Sequence, residues 1–258
     1  QGYSSAASDV YKRQDGLVIR TVNVGESDRA VTVLTRDRGL MSAFATGARK
    51  QNSKNGAATS LLTYSDFTVS KTKDTCRITD SETREVFFGL RGDIMKYALA
   101  QYICELCLVL VPYDVEDSET LRLVLNSLYY LSSGKLGVFS VKAVTELRLM
   151  SVAGFMPELS CCRHCGKESA DKFYLDTVGG EIVCKDCCRE GAGLIELDRT
   201  SLAAARHIIY SPLDRLYSFS LPENAAKYLS RVTEQYLLSQ TAHRFKTLDF
   251  FHGISSPL

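Results

Sequence analysis

Residues 161–188 read CCRHCGKESADKFYLDTVGGEIVCKDCC, and the way this stretch is understood settles how the rest of the chain divides. Two close pairs, Cys162/Cys165 and Cys184/Cys187, are separated by 18 residues, the spacing of a four-thiolate zinc site. Two cysteines with two residues between them can turn both sulfurs toward one ion. Gly166, directly after Cys165, permits the tight turn that such a knuckle needs. Between the pairs, FYLDTVGGEIV predicts a hairpin: Phe173 to Leu175, a Gly179-Gly180 turn, then Ile182 and Val183. A tetrahedral site of four thiolates leaves no position for water or substrate. The expected zinc is therefore structural and contributes folding free energy.

Other readings of the same cysteines differ in chemistry. Disulfides are disfavoured because nine cysteines is an odd number, no secretory signal is evident, and 258 residues can build a core without staples. The ligand set stays open, since Cys161, Cys188 and His164 each offer a substitute for a neighbouring sulfur. Arg163, Lys167, Lys185 and Arg189 would offset the formal charge of about −2 on a zinc tetrathiolate.

Upstream, residues 16–90 read as a β domain. Leu17 to Val22, Ala30 to Leu34, Leu40 to Thr46, Phe67 to Lys71 and Arg77 to Thr79 are five short strands with turn residues and a polar loop between them. Five strands without a long intervening helix predict a small barrel, of which the OB-fold is the common version. Arg20, Arg29, Arg36, Arg38, Arg49, Lys50 and Lys54 collect on its turns and loops. Residues 15–91 carry twelve Lys/Arg against nine Asp/Glu, a surplus of three. With Phe44, Tyr64 or Phe67 nearby, these cations make a platform for a phosphate backbone and stacked bases. The plainer alternative is a solvated surface over a core that holds the aromatics.

Either side of the cysteines the chain is helical. Asp93 caps an apolar segment in which Cys104 and Cys107 read as packed thiols. Asp117 or Ser118 starts a second helix closed by Gly134, and Val138 to Gly154 is a third. Leu202 to Tyr210 and Pro222 to Thr241 follow the metal stretch, with Pro222 in the first turn. The expected architecture is thus α+β and multidomain: a tail at residues 1–14 that is an artefact or disordered, an OB-fold barrel at 15–91, a helical body at 92–158 and 193–258, and a zinc module inserted at 159–192. The apolar run at 103–111 is interrupted by Glu105 and ends at Pro112, so it reads as a buried helix and no membrane span is expected. A phosphate-cradling glycine loop, HExxH and Gly-x-Ser-x-Gly are all missing. His207, His243 and His252 stand isolated, so no catalytic constellation is expected.

This order of parts resembles the RecO family of bacterial recombination mediators. The matching stretches are GLVIRTVNVGESDRAVTVLTRDRGLMSAFATGARK, DIMKYALAQYICEL, LRLMSVAGFMPELSCCRHCG and HRFKTLDFF, together covering residues 15–252. Gly47-Ala48-Arg49-Lys50 and the CxxCG that follows Gly154-Phe155-Met156-Pro157 are the most specific pieces. The resemblance implies a non-enzymatic protein of the bacterial cytoplasm, associated with the nucleoid. It would bind single- and double-stranded DNA, anneal complementary strands, contact single-stranded DNA-binding protein and, with RecR, help load RecA. It places DNA contacts on Arg20, Arg29, Arg36, Arg38, Arg49 and Lys50, and a structural zinc on Cys162, Cys165, Cys184 and Cys187. A zinc-ribbon protein of transcription or translation that binds RNA is the competing class, and a nuclease is a third.

Overall fold

The computed structural model describes residues 10–71, 75–189 and 193–255. The chain forms two compact units, Gln1–Arg91 with Cys107–Leu125, and Gly92–Leu106 with Asn126–Leu258.

The first unit is built on a closed barrel of strands β1 (Val10–Val24), β2 (Asp28–Thr35), β3 (Gly39–Ala45), β4 (Thr63–Lys71) and β5 (Cys76–Val86), in the order β1-β2-β3-β5-β4. All pairs are antiparallel except β3 with β5, which meet in parallel at Phe44 and Arg77. Alternate side chains turn inward, and Val18, Val31, Val33, Met41, Ala43, Phe67, Val69 and Ile78 fill the interior. Closure demands close approach: a Cβ at Gly16 would lie 2.4 Å from Val33 Cγ1 and 2.8 Å from the Leu34 carbonyl oxygen. Register shifts between Val18 and Arg20 on β1, and at two places on the β4–β5 ladder, bend the strands enough to close.

Two boundaries differ from expectation. Residues 10–14, assigned to the tail, pair with β4 as the start of β1, while residues 1–9 lie outside the described residues. Strand β5 runs on from Thr79 to Val86 through Asp80, Glu82, Arg84 and Glu85, because its outer face is solvated and only the inward positions need apolar character. The unit also includes residues beyond the barrel. Leu40 N–H donates to the Pro112 carbonyl (3.0 Å), Asp114 N–H to the Leu40 carbonyl (3.2 Å) and Asp117 N–H to the Arg36 carbonyl (3.3 Å).

Helices α1 (Ile94–Leu110), α2 (Ser118–Ser133), α3 (Val138–Val152), α4 (Arg199–Tyr210), α5 (Glu223–Thr241) and α6 (Lys246–Ser255) follow the expected segments, with α6 added. Asp93 Oδ1 accepts from Met95 and Lys96 N–H, and Asp117 Oδ1 from Thr120 N–H, so both carboxylates cap as expected. Pro222 stands one residue before its expected place, as the extended cap before Glu223. In the second unit α3 is buried along almost its whole length and packs against α4 and α5. The cysteine module is larger than a hairpin. Strands β6 (Glu158–Cys162), β7 (Phe173–Asp176), β8 (Glu181–Cys184) and β9 (Leu194–Leu197) form one sheet in the order β6-β8-β7-β9. No helix is long and apolar enough to cross a membrane among the described residues.

Candidate metal centre and nucleic-acid interface

The predicted hairpin is present as β7 and β8, with Phe173 opposite Cys184 and Asp176 opposite Glu181. Asp176 Oδ1 caps the turn by accepting from the N–H groups of Val178 and Gly179 (both 3.0 Å). The first knuckle closes by Gly166 N–H donating to the Cys162 carbonyl (2.8 Å), with Gly166 at φ +70°. The second closes by Cys187 N–H and Cys188 N–H donating to the Cys184 carbonyl (3.0 and 2.9 Å). As a result the sulfurs of Cys162, Cys165, Cys184 and Cys187 lie within 4.8 Å of one another. Four sulfurs about 2.3 Å from one tetrahedral ion would stand roughly 3.8 Å apart. The observed cluster fits that geometry and could hold a metal ion.

The electrostatics fit a cation at the centre. Burial pushes the Cys162 thiol up, but backbone N–H groups of Cys184, Cys165 and His164 outweigh it and hold the thiol at about 6. Cys187, which shares protons with Cys165 and Cys184, is pushed up to about 12. Adjacent thiolates cannot all form without positive charge to accommodate them. Of the other candidates, the ring Nε2 of His164 accepts from Arg163 Nε (3.2 Å), and Cys161 and Cys188 fall outside the cluster. Arg163 pairs with Asp176 (2.7 Å) and Glu181 (3.6 Å), and Lys167 with Asp186 (2.8 Å). Lys167 also feels the charge of Cys165 and Cys184.

The sheet is fastened to the helices. Arg206 on α4 donates from Nε to the Leu159 carbonyl (2.7 Å) and from Nη2 to the Ser160 carbonyl (2.8 Å). On α5, Gln240 Nε2 donates to the Thr177 carbonyl (2.7 Å).

On the barrel, the six basic residues named from sequence do not share one patch. Arg29 turns onto the β3–β4 loop, donating to the Gly56 carbonyl (3.1 Å) and Thr59 Oγ1 (3.0 Å), and so shapes that loop. Arg36 pairs with Asp15 (3.1 Å) and Arg38 with Asp114, at the far end of β2. Seven steps of ~3.3 Å along the 8 residues of β2 separate its two ends by roughly 23 Å. Arg49 and Lys50 belong to the near end. There the loop docks on the β1–β2 turn: Arg49 N–H donates to the Ser27 carbonyl (2.9 Å), Arg49 Nη1 to the Gly25 carbonyl (3.1 Å), and Gly47 N–H to Asp28 Oδ1 (2.8 Å). That loop leaves the Lys50 side chain exposed.

Strand register brings further groups to the same end. Val22, Ala30, Phe44 and Arg77 stand abreast on β1, β2, β3 and β5, with Arg20 in the next row opposite Thr32. Val22 and Phe44 are large apolar side chains exposed on the outer face, 47% and 43% respectively. Of the other aromatics, Phe67 belongs to the core, and the Tyr64 hydroxyl donates to Asp15 Oδ2 (2.6 Å). Among the described residues Arg20, Lys50 and Arg77 form no ion pair with a carboxylate, although Lys50 and Arg77 both lower the Asp28 carboxyl. That carboxyl is held below its usual range first by the Gly47 N–H. Arg77 was missed because its strand carries more acids than bases, and only the parallel β3–β5 contact reveals its neighbours.

Residues 10–87 match the family described as Recombination protein O N terminal, and residues 91–249 match Recombination protein O C terminal. The chain is 30% identical over 240 residues to the DNA repair protein RecO of Acetivibrio thermocellus, covering 93% of this chain and 96% of that one. It is 29% identical over 246 residues to its namesake from Symbiobacterium thermophilum, covering 94% and 97%. With the corresponding protein of Heliobacterium modesticaldum it shares 36% over 208 residues, covering 76% and 73%.

Proposed function

The chain belongs to the Recombination protein O family, and from that premise we propose that it is a non-enzymatic DNA-repair protein that binds DNA through the loop end of its barrel. The observation that carries this reading is the convergence of Arg49, Lys50, Arg20 and Arg77 around the exposed Val22–Phe44 strip. Cations that contact phosphates release condensed counterions, which gives affinity without sequence preference. An aromatic face beside them stacks any base and favours unpaired strands. Two strands held with their repulsion screened and their base edges free can anneal, and no covalent step is required.

Within this reading the protein works in the bacterial cytoplasm, at the nucleoid, on single- and double-stranded DNA. RecR and single-stranded DNA-binding protein are its partners, and RecA is loaded as the outcome. The ion held by Cys162, Cys165, Cys184 and Cys187 is zinc, whose preference for thiolate ligands suits a closed cluster. It keeps the β6–β9 sheet folded against α4 and α5.

Replacing Arg49 and Lys50 together with alanine tests the interface. The folded double variant is expected to bind single-stranded DNA more weakly and to show a salt dependence shallower by about 1 to 2 in log–log slope. Fluorescence anisotropy across a salt series measures both. Unchanged affinity at low salt in that variant rejects the assignment.

A further inference from the structure

A cavity between the first residues of β1 and β3 and the last of β4 carries a second set of groups that the loop interface does not use. Gln14 on β1 turns inward, is 8% exposed, and its side-chain oxygen Oε1 is fully buried without a hydrogen-bond partner among the described residues. Beside it the cavity, of about 290 Å³, is lined by Lys12, Gln14, Arg38, Met41, Val69 and Lys71. Met41 and Val69 give it an apolar floor continuous with the barrel core. Lys12 and Lys71 project from exposed positions on neighbouring strands, and Arg38, already paired with Asp114, stands on the β2–β3 turn. A buried acceptor without a donor destabilises a fold, and a ligand that supplied the donor would relieve that cost.

We propose that this cavity binds one nucleotide: the base lies on Met41 and Val69 and donates an N–H to Gln14 Oε1, and its phosphate meets Lys12 and Lys71. The volume suits a single nucleotide and excludes a duplex, being near the lower limit of ligand cavities. All four bases carry an N–H donor, so Gln14 selects a base over a bare anion without selecting a sequence. The cation pair selects a phosphorylated form over a nucleoside. Two sources share this chemistry, a free nucleotide and the terminal nucleotide of a strand. Arg49 and Lys50 are not part of its lining, although Lys71, opposite Cys76, stands one register step from Arg77 on β5.

Fluorescence titration of the full chain with 2-aminopurine deoxynucleoside 5′-monophosphate, and with single strands carrying 2-aminopurine at the phosphorylated 5′ end or in the interior, tests the proposal. Saturable binding of the free nucleotide, or of the end-labelled strand in preference to the internally labelled one, supports it and identifies the source. Gln14→Leu is expected to weaken that binding at least tenfold while unfolding at the same or a higher temperature, because the buried carboxamide is gone. Gln14→Met serves the same purpose with an unbranched side chain if leucine packs poorly. Lys12→Ala with Lys71→Ala should weaken the phosphorylated probe and leave the nucleoside unaffected. The Arg49→Ala/Lys50→Ala variant should bind the free nucleotide as the parent chain does, which separates failure here from failure of the loop interface. No binding of either probe, unchanged binding by a folded Gln14→Leu or Gln14→Met chain, or equal competition by inorganic phosphate overturns the nucleotide site.

Discussion

Two carboxylates govern very different parts of this molecule. Asp28 accepts from Gly47 N–H at 2.8 Å and so ties the basic β3–β4 loop to its turn, but it also sets a negative charge beside Lys50 and Arg77. Its depressed carboxyl contributes to loop order above the ordinary carboxylate range and loses that contribution as the pH falls through its own lowered value, so at neutral pH it is fully charged. Asp28→Asn keeps an acceptor for Gly47 and removes the charge. Affinity for single-stranded DNA is expected to rise about twofold to fivefold at low salt and to converge with the parent as salt screens the difference, as anisotropy will measure. Glu146 is the buried case. It lies with Lys142 (2.7 Å), the Tyr102 hydroxyl (2.7 Å) and the Thr233 hydroxyl (2.6 Å), while Lys142 also reaches Glu234 (2.7 Å), itself paired with His252 (2.9 Å). Burial raises the Glu146 carboxyl and Lys142 opposes that rise. Lys142→Met would strand the carboxylate at a cost of about 3–5 kcal/mol at pH 8. A carboxyl raised in the folded state binds its proton more tightly there, so the penalty grows as the pH climbs above the unfolded value of about 4.5. Denaturation of parent and variant at pH 5 and pH 8 should therefore give a smaller difference at pH 5, and equal differences would reject the account.

At the scale of elements, the cysteine module tests what the metal does. Cys165 is the exposed member of the cluster, and it directly precedes Gly166, whose N–H closes the first knuckle on the Cys162 carbonyl. Cys165→Ser, or chelation of the parent chain, is expected to release the metal and lower the unfolding midpoint, with DNA affinity held at temperatures where the chain stays folded. A folded, stable variant that has lost DNA affinity would show the module touching DNA. Much of this element was legible in sequence, because cysteine spacing and a Gly-Gly turn are local signals: the hairpin and the four sulfurs stand where residues 161–188 put them. Strands β6 and β9 were not, since each is a short segment whose only reason to extend is a partner distant in the chain. The barrel strands were legible for the same local reason, and their outer face was not. Whether Arg29 meets solvent or Thr59, and whether Phe44 or Phe67 is exposed, depends on register and strand order that no local pattern encodes. Helix α6 hid for another reason. Its start is capped from far away, by Glu105 Oε2 accepting from Thr247 N–H at 2.9 Å and from its hydroxyl.

At the scale of the whole molecule, the boundary expected after residue 91 falls where the two family matches divide, at residues 87 and 91, yet a later segment joins the barrel's compact unit. The segment Cys107–Leu125 belongs with the barrel, and it makes specific contacts there. Gly39, at φ +55°, passes so near this segment that a Cβ would lie 2.6 Å from the Pro112 carbonyl oxygen. Leu40, wholly buried, exchanges backbone hydrogen bonds with Pro112 and Asp114, and Arg38 pairs with Asp114. A fragment ending at Arg91 would lose each of these and expose Leu40 and its neighbours to water. Three backbone hydrogen bonds at about 1 kcal/mol each, with added apolar exposure, are a large share of the stability of an 80-residue domain. The fragment of residues 10–91 is accordingly expected to unfold at a lower denaturant midpoint than the barrel does within the full chain, followed by hydrogen exchange of the β2 and β3 amides. Adding a peptide spanning residues 107–125 should restore part of the protection at Leu40. Equal protection in fragment and full chain would mean that the barrel is complete by residue 91 and that the later segment only rests on it.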